Sequence, residues 1–406
     1  MQIKPFAALR PLPEKAQSVA AVPYDVVDTA EARALADGNP DSFLHVTRPE
    51  IDLPDNTDIH SDAVYAQGAK ALVAMRERGT LIRDKAESFY LYRQIMGDHS
   101  QTGVVACCNI DDYARDIIRK HEKTRKDKED DRTRHCTELK ANTGPVFLTC
   151  RDDATLCRLI KAAEDSAPLY DFTAPDGVRH TVWRTADNNA AWIEAFRQIP
   201  LAYVADGHHR AAAAFRTGTN MRIANPGHTG AEEYNWFLAV VFPASSLSIL
   251  PYNRCVVDLN GMSPEAFLAK VGEVFKLSPA DGAVPSGPRE VRMFLAGRWH
   301  KLSWEDFDAD PVGRLDVSVL QDRLLAPLLG IGDPRTDNRI SFIGGIRGTE
   351  ELERRVNDDS DAVAFSMFPV TVEQMMDIAD AGQIMPPKST WFEPKLRSGL
   401  LIHTLD

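Results

Sequence analysis

Two clusters of residues, with a few outliers, have types and spacing that could do chemistry. The first is Asp206-Gly207-His208-His209-Arg210. A short apolar run, residues 201–205, precedes it and an alanine-rich segment follows, so a strand should pass through a glycine turn directly into a helix. A helix start presents free N–H groups and partial positive charge, and so binds phosphate. Gly207 would let the backbone approach closely, and Arg210 would offer a bidentate fork to phosphate oxygens. His208 or His209 would donate a hydrogen bond or shuttle a proton. Three potential cations at the positive end of a helix dipole are unfavourable unless an anion compensates them. Two plainer readings stand beside this one: a helix start capped by Asp206 with surface histidines, and a metal site.

The second cluster is His121, Arg125, Lys128, Arg132 and His135, spaced by 4, 3, 4 and 3. On a continuous helix over residues 111–140 these fall on one face. A basic stripe on an acidic chain points to a face turned toward an anion; the alternative is a solvated helix face laced by ion pairs. Glu122 and Glu129 are candidate acids, bases or Mg²⁺ ligands, or salt-bridge partners. Asp25, after Pro23-Tyr24, is a candidate catalytic base or a turn residue. Arg48-Pro49-Glu50 is a turn with a charge pair. Lys388, with Ser389, Thr390 and Phe392 in a non-helical tail, could close over a ligand. P-loop, G-x-S-x-G and HExxH patterns are missing and the cysteines form no C-x-x-C pair, so no residue is assigned to a resident metal site.

The elements that must position these residues are read from period and punctuation. Helices are expected over residues 61–78, 153–164, 188–197 and 264–275, and from Thr371 with Gln374 three residues on. Runs 89–96 and 102–110 read as a hairpin, as does 170–183 turning at Pro175-Asp176-Gly177. Residues 45–50 read as a short strand, as do 146–150, 338–343 and 362–369. Residues 317–329 read as a helix. Helices and strands mix irregularly, which implies an α+β (mixed α/β) fold rather than a regular doubly wound sheet.

The chain's 406 residues suggest two to three domains at about 150 residues each. The expected division is a main domain over 1–260, a smaller α+β unit over 261–335, and a segment 336–406 returning to the main domain. With 47 basic and 59 acidic residues, the net charge of -12 argues against nucleic acid or an anionic membrane as partner. A small anion in a local basic pocket remains compatible. No apolar run reaches membrane-span length, the N-terminus lacks a signal-peptide core, and the six cysteines suit reduced, buried thiols. A cytoplasmic location is expected.

Several motifs together resemble the bacterial and archaeal domain-of-unknown-function family numbered 1015. They are residues 5–11 (PFAALRP), 23–27 (PYDVV), Asn39-Pro40 with Phe43-Leu44, the charged run 120–132, residues 205–210 and Met385-Pro386-Pro387-Lys388-Ser389-Thr390. The resemblance implies a link to serine biosynthesis. The DGHHR element is also similar to the phosphate-binding motif of the ParB/sulfiredoxin-like superfamily, which includes free-serine kinases. That likeness implies a phosphate-binding core in which Gly207, His208, His209 and Arg210 hold nucleotide phosphates. His208 stands where sulfiredoxin has its cysteine, so sulfur chemistry is not implied.

The combined expectation is a small-molecule phosphoryl-transfer enzyme of kinase or phosphatase type, with serine and phosphoserine as substrate pair. Asp25, His208 and His209 would be catalytic. Gly207, Arg210, His121, Arg125, Arg132, His135 and Lys388 would bind phosphate. A nucleotide with Mg²⁺ is the candidate cofactor, with pyrophosphate or phosphoserine as other phosphate ligands; phosphoryl donor, direction and oligomeric state stay open. The alternative is a non-catalytic nucleotide or metabolite sensor, and a third is a structural or partner-binding protein.

Overall fold

The computed structural model describes residues 1–185, 188–307 and 309–406. It divides into two compact units, Met1–Leu247 with Pro394–Asp406, and Ser248–Glu393. These bounds differ from the expected ones at 260 and 335. Strand Tyr252–Val256 lies between Ile340–Gly344 and Val363–Met367, so one sheet draws on both sides of both expected boundaries. Only residues 394–406 rejoin the first unit. The fold is mixed α+β, as the irregular element order implied.

The first unit is built on a nine-stranded mixed sheet. From edge to edge it runs Ile118–Arg119, Ala202–Asp206, Val146–Cys150, Trp236–Pro243, His99–Asn109, Tyr90–Met96, Arg179–Arg184 and Tyr170–Thr173, with Ile3–Lys4 beside His99–Asn109. Both expected hairpins are present. The central strand is buried along Gln101–Cys108, which accounts for its unbroken apolar run; Cys107 and Cys108 are both buried there. Helix His208–Ala224 carries Ala211, Ala212, Ala213 and Ala214, all buried. Small side chains let it lie close to its neighbours: a Cβ on Gly218 would fall 2.2 Å from the Tyr234 carbonyl oxygen.

Two expected elements are replaced. Residues 45–50 form no strand; helix Leu44–Thr47 is followed by a 3-10 turn Pro49–Asp52. Pro49 begins that turn, where its missing N–H costs nothing, and Arg48 and Glu50 form a local ion pair at 2.9 Å. The long helix over 111–140 is broken into helix Ile110–Ala114, strand Ile118–Arg119 and helix Lys126–Leu139. Asp116 turns the chain with φ +54°, and Ile118 then joins the sheet beside Ala202, fully buried.

The second unit holds a six-stranded antiparallel sheet, in the order Lys276–Pro279, Arg298–Ser303, Glu290–Leu295, Val363–Met367, Tyr252–Val256 and Ile340–Gly344. Helix Val372–Asp380 starts with the capping box read from Thr371 and Gln374. The helix expected over 317–329 is Asp316–Leu320 continued by a wider π turn, Gln321–Leu325. Among the described residues no helix is long and apolar enough to cross a membrane.

Candidate functional site

Strand Ala202–Asp206 does run through Gly207 straight into helix His208–Ala224. The strand's register against Val146–Cys150 shifts between Val204 and Asp206, so the turn begins with a bulge. Gly207 has φ +90° and is the N-cap, and among the described residues no side chain caps the helix. Asp206 is therefore not the cap. Its carboxylate is held by Lys395 Nζ at 3.0 Å and by Arg210 Nη2 at 2.8 Å. Although burial opposes its charge, these two cations hold Asp206 well below the usual carboxylate range.

Arg210 folds back over Gly207. A Cβ there would lie 2.9 Å from Arg210 Nε, so the glycine supplies both the left-handed backbone and the space for the guanidinium. Arg210 also donates to the Pro145 carbonyl, and its buried Nε has no hydrogen-bond partner among the described residues. A cavity of about 40 Å³ lies against it, lined by Tyr24, Arg132, His135, Gly144, Arg210 and Ser398 among others. That is room for about three waters or one compact oxyanion. Arg132 stacks on Tyr24, its guanidinium carbon 4.0 Å from the ring centroid, and pairs with Asp131 at 2.6 Å.

The histidines are neutral in the physiological range. Burial, and secondarily His208, pushes His121 down to about 3. Burial pushes His208 and His135 down to about 4. The expectation of three cations at the helix start is thus corrected: only Arg210 is one, and Asp206 compensates it. His121 and His208 stack edge to face at 4.5 Å, and Glu122 comes within 3.6 Å of His208 Nδ1. His208 Nε2 is buried and has no hydrogen-bond partner among the described residues. His209 Nε2 accepts the Arg125 backbone N–H at 3.0 Å. His135 donates from Nε2 to the Val46 carbonyl at 2.9 Å.

The basic stripe does not exist as a helix face, because Arg125 is the N-cap residue of Lys126–Leu139 and His121 precedes the helix. Its members nonetheless gather here by other routes: His121 against His208, Arg125 through its backbone on His209, and Arg132 and His135 in the cavity wall. The Arg125 side chain is exposed and pairs with Asp127. Lys128 is half-buried. Asp25 is exposed, and its charge is felt by His209 and by Tyr24. Burial and Asp25 push the Tyr24 hydroxyl up to about 12, against Arg132 and Arg210. Lys388 belongs to the second unit, with φ +55° and its ammonium 5.5 Å from the Tyr252 ring centroid.

Sequence reasoning did not single out Tyr24, Gly144, Lys395 or Ser398. Gly144 lies just beyond the end expected for the charged helix at residue 140, and Tyr24 stands beside the more chemically obvious Asp25. Lys395 and Ser398 come from the segment returning after the second unit, and no local pattern marks such a partner.

Residues 3–318 match the family model described as protein of unknown function (DUF1015). No curated protein matches the chain. Solved structures it is similar to include a free serine kinase in complex with AMP, at 11% identity and TM-score 0.36 over 73% of this chain and 92% of that one. SbnI with a C-terminal truncation, from Staphylococcus aureus, is 10% identical with TM-score 0.37 over 72% and 85%. A conserved hypothetical protein from Pyrococcus furiosus is 9% identical with TM-score 0.35 over 73% and 94%.

Proposed function

We propose, from the premise that this chain belongs to the DUF1015 family, that its first unit binds the phosphate group of a small metabolite at the start of helix His208–Ala224 and transfers or removes it. The observation that carries this reading is an uncapped helix start beside a cavity walled by two guanidiniums, Arg132 and Arg210. Free N–H groups, a dipole end and planar cations together select a tetrahedral oxyanion. Arg210 Nε and His208 Nε2, buried without partners, are donors or acceptors still to be satisfied.

Phosphoryl transfer needs mainly positioning and charge neutralisation. Arg132, Arg210 and the backbone at Gly207–His209 would hold the phosphate. His208, neutral at pH 7, would donate or accept one hydrogen bond rather than carry charge. Asp25, exposed and electrostatically coupled to His209, would take the proton from an acceptor hydroxyl. Serine and phosphoserine are the substrate pair we infer. Where a nucleotide is the donor, Mg²⁺ would be held by one or two carboxylates together with phosphate oxygens; Asp25, Glu122 and Asp127 are the carboxylates whose charges reach His209. The cavity's size suits a phosphate but not a nucleoside, which would lie outside it.

A second reading is binding without turnover. It is favoured by His209, whose Nε2 is already taken by the Arg125 N–H and so is unavailable as a base. Thermal-shift titration with phosphoserine, pyrophosphate and ADP, with and without Mg²⁺, tests the site, and coupled assay of serine phosphorylation tests the chemistry. Asp25→Asn should abolish turnover and keep affinity. Should Arg132→Ala retain full affinity for every phosphate ligand, the site is elsewhere.

A further inference from the structure

The second unit contains a buried cation of a different kind. Arg254 lies mid-strand in Tyr252–Val256, 3% exposed. It faces Phe342 on one neighbouring strand and Phe365 on the other, so its guanidinium emerges among apolar side chains. Its centre is 5.4 Å from the Phe342 ring centroid. It donates to two backbone carbonyls, those of Tyr252 and Lys388, the latter at 3.3 Å. Among the described residues no carboxylate pairs with it. Burying an ion without a counter-ion is costly, and burial pulls Arg254 down to about 10, where it is still charged at neutral pH.

Arg254 also lines a cavity of about 390 Å³, within the range of small-molecule sites. Its walls include Val317, Phe342, Pro386 and Pro387, and at the rim Asp333 and Arg335 pair with each other at 2.8 Å. The lining charges therefore leave one positive charge over, on Arg254. Pro386 and Pro387 come from the Met385–Thr390 motif, which the reading of the first unit does not use.

We propose that this cavity is an anion site of its own, in which Arg254 takes the oxyanion of a small organic acid, carboxylate or phosphate ester, whose apolar body packs on Phe342, Pro386 and Pro387. The competing role is purely structural, with Arg254 only pinning the Lys388 carbonyl.

Calorimetric titration of the full chain with benzoate, phenyl phosphate and inorganic phosphate decides between them. Benzoate or phenyl phosphate should bind, and which is tighter names the oxyanion. Inorganic phosphate, lacking an apolar body, should bind this site at least tenfold more weakly. Arg254→Met should weaken the organic acid at least tenfold, while Arg132→Ala in the first unit should leave it within twofold. A crystal soaked with 4-bromobenzoate should show the bromine anomalous peak in this cavity, a result that needs no variant to fold. Absence of binding by both organic acids, unchanged affinity in Arg254→Met, loss of affinity in Arg132→Ala, or a bromine peak only elsewhere would each overturn the proposal.

Discussion

Arg210 and Arg254 are both sequestered guanidiniums, and their surroundings are opposite. Arg210 shares Asp206 with Lys395 and sits by a cavity of about 40 Å³. Arg254 has two carbonyls, an aromatic neighbour and about 390 Å³ of space. A compensated cation holds a turn in shape whether or not a ligand comes, whereas an uncompensated one keeps part of its interaction energy for a visitor. In the first unit the ligand must therefore be drawn by several modest donors acting together, and in the second by one dominant charge.

Acidification should separate the two units most strongly. His121, His135, His180 and His208, all in the first unit, have pKa values lowered by burial to about 3, 4, 3 and 4. The unfolded chain protonates them near 6.5, so stability present above that pH is lost as pH falls toward 4, roughly 2 kcal/mol per histidine by pH 5. The second unit has one histidine, the half-buried His300. Its Asp316 is pushed up by burial to about 6, so acidification from 6 toward 4 stabilises it, by roughly 2–3 kcal/mol in all. Calorimetry at pH 7 and pH 5 should show the first unit's transition falling while the second's holds or rises; transitions that move together would refute the contrast.

The next largest effect is Arg210→Ala. It strips Asp206 of one of two cations and leaves the Pro145 carbonyl unmet, costing about 2–4 kcal/mol in denaturant unfolding. Arg254→Met, by contrast, should leave the empty protein's stability unchanged or raised. Equal destabilisation by both variants would show that the two arginines are compensated alike. Gly207→Ala should cost about 1–3 kcal/mol, because φ +90° strains any L side chain and the new Cβ meets Arg210. It should also remove phosphate-dependent thermal stabilisation. The smallest effects are the two capping boxes, Asp28 with Glu31 and Thr371 with Gln374, one in each unit. Asp28→Ala and Thr371→Ala should each cost about 1 kcal/mol, lowering only the transition of its own unit.

The local part of this architecture was readable from residue order. Strand, glycine turn and alanine-rich helix around Gly207 follow from short-range punctuation, as do both hairpins and the Thr371 cap. The basic stripe shows where period fails: spacing of 3 and 4 marks a face only where a helix exists, and Ile118 prefers the buried sheet edge to a charged helix. Neutral histidines could not be foreseen, since desolvation is a property of the packed site. Nor could the state of Arg254, because residue order does not disclose that its guanidinium is buried with no carboxylate partner among the described residues. The unit boundaries were misplaced because strands from residues 252–367 pair across intervals of up to 111 residues, as Arg254 does with Phe365.

The route of the chain has a consequence for how the protein is made. Leu9 pairs with Ile402, and Lys395 and Ser398 complete the surroundings of Gly207, yet the whole of Ser248–Glu393 is synthesised in between. On the ribosome the second unit can assemble while the first still lacks a wall of its site. Closing such long-range pairings is slow, and the nascent first unit waits with that surface open. If the site binds phosphate as proposed, that competence arrives late in biosynthesis, only after residues 394–406 have been translated.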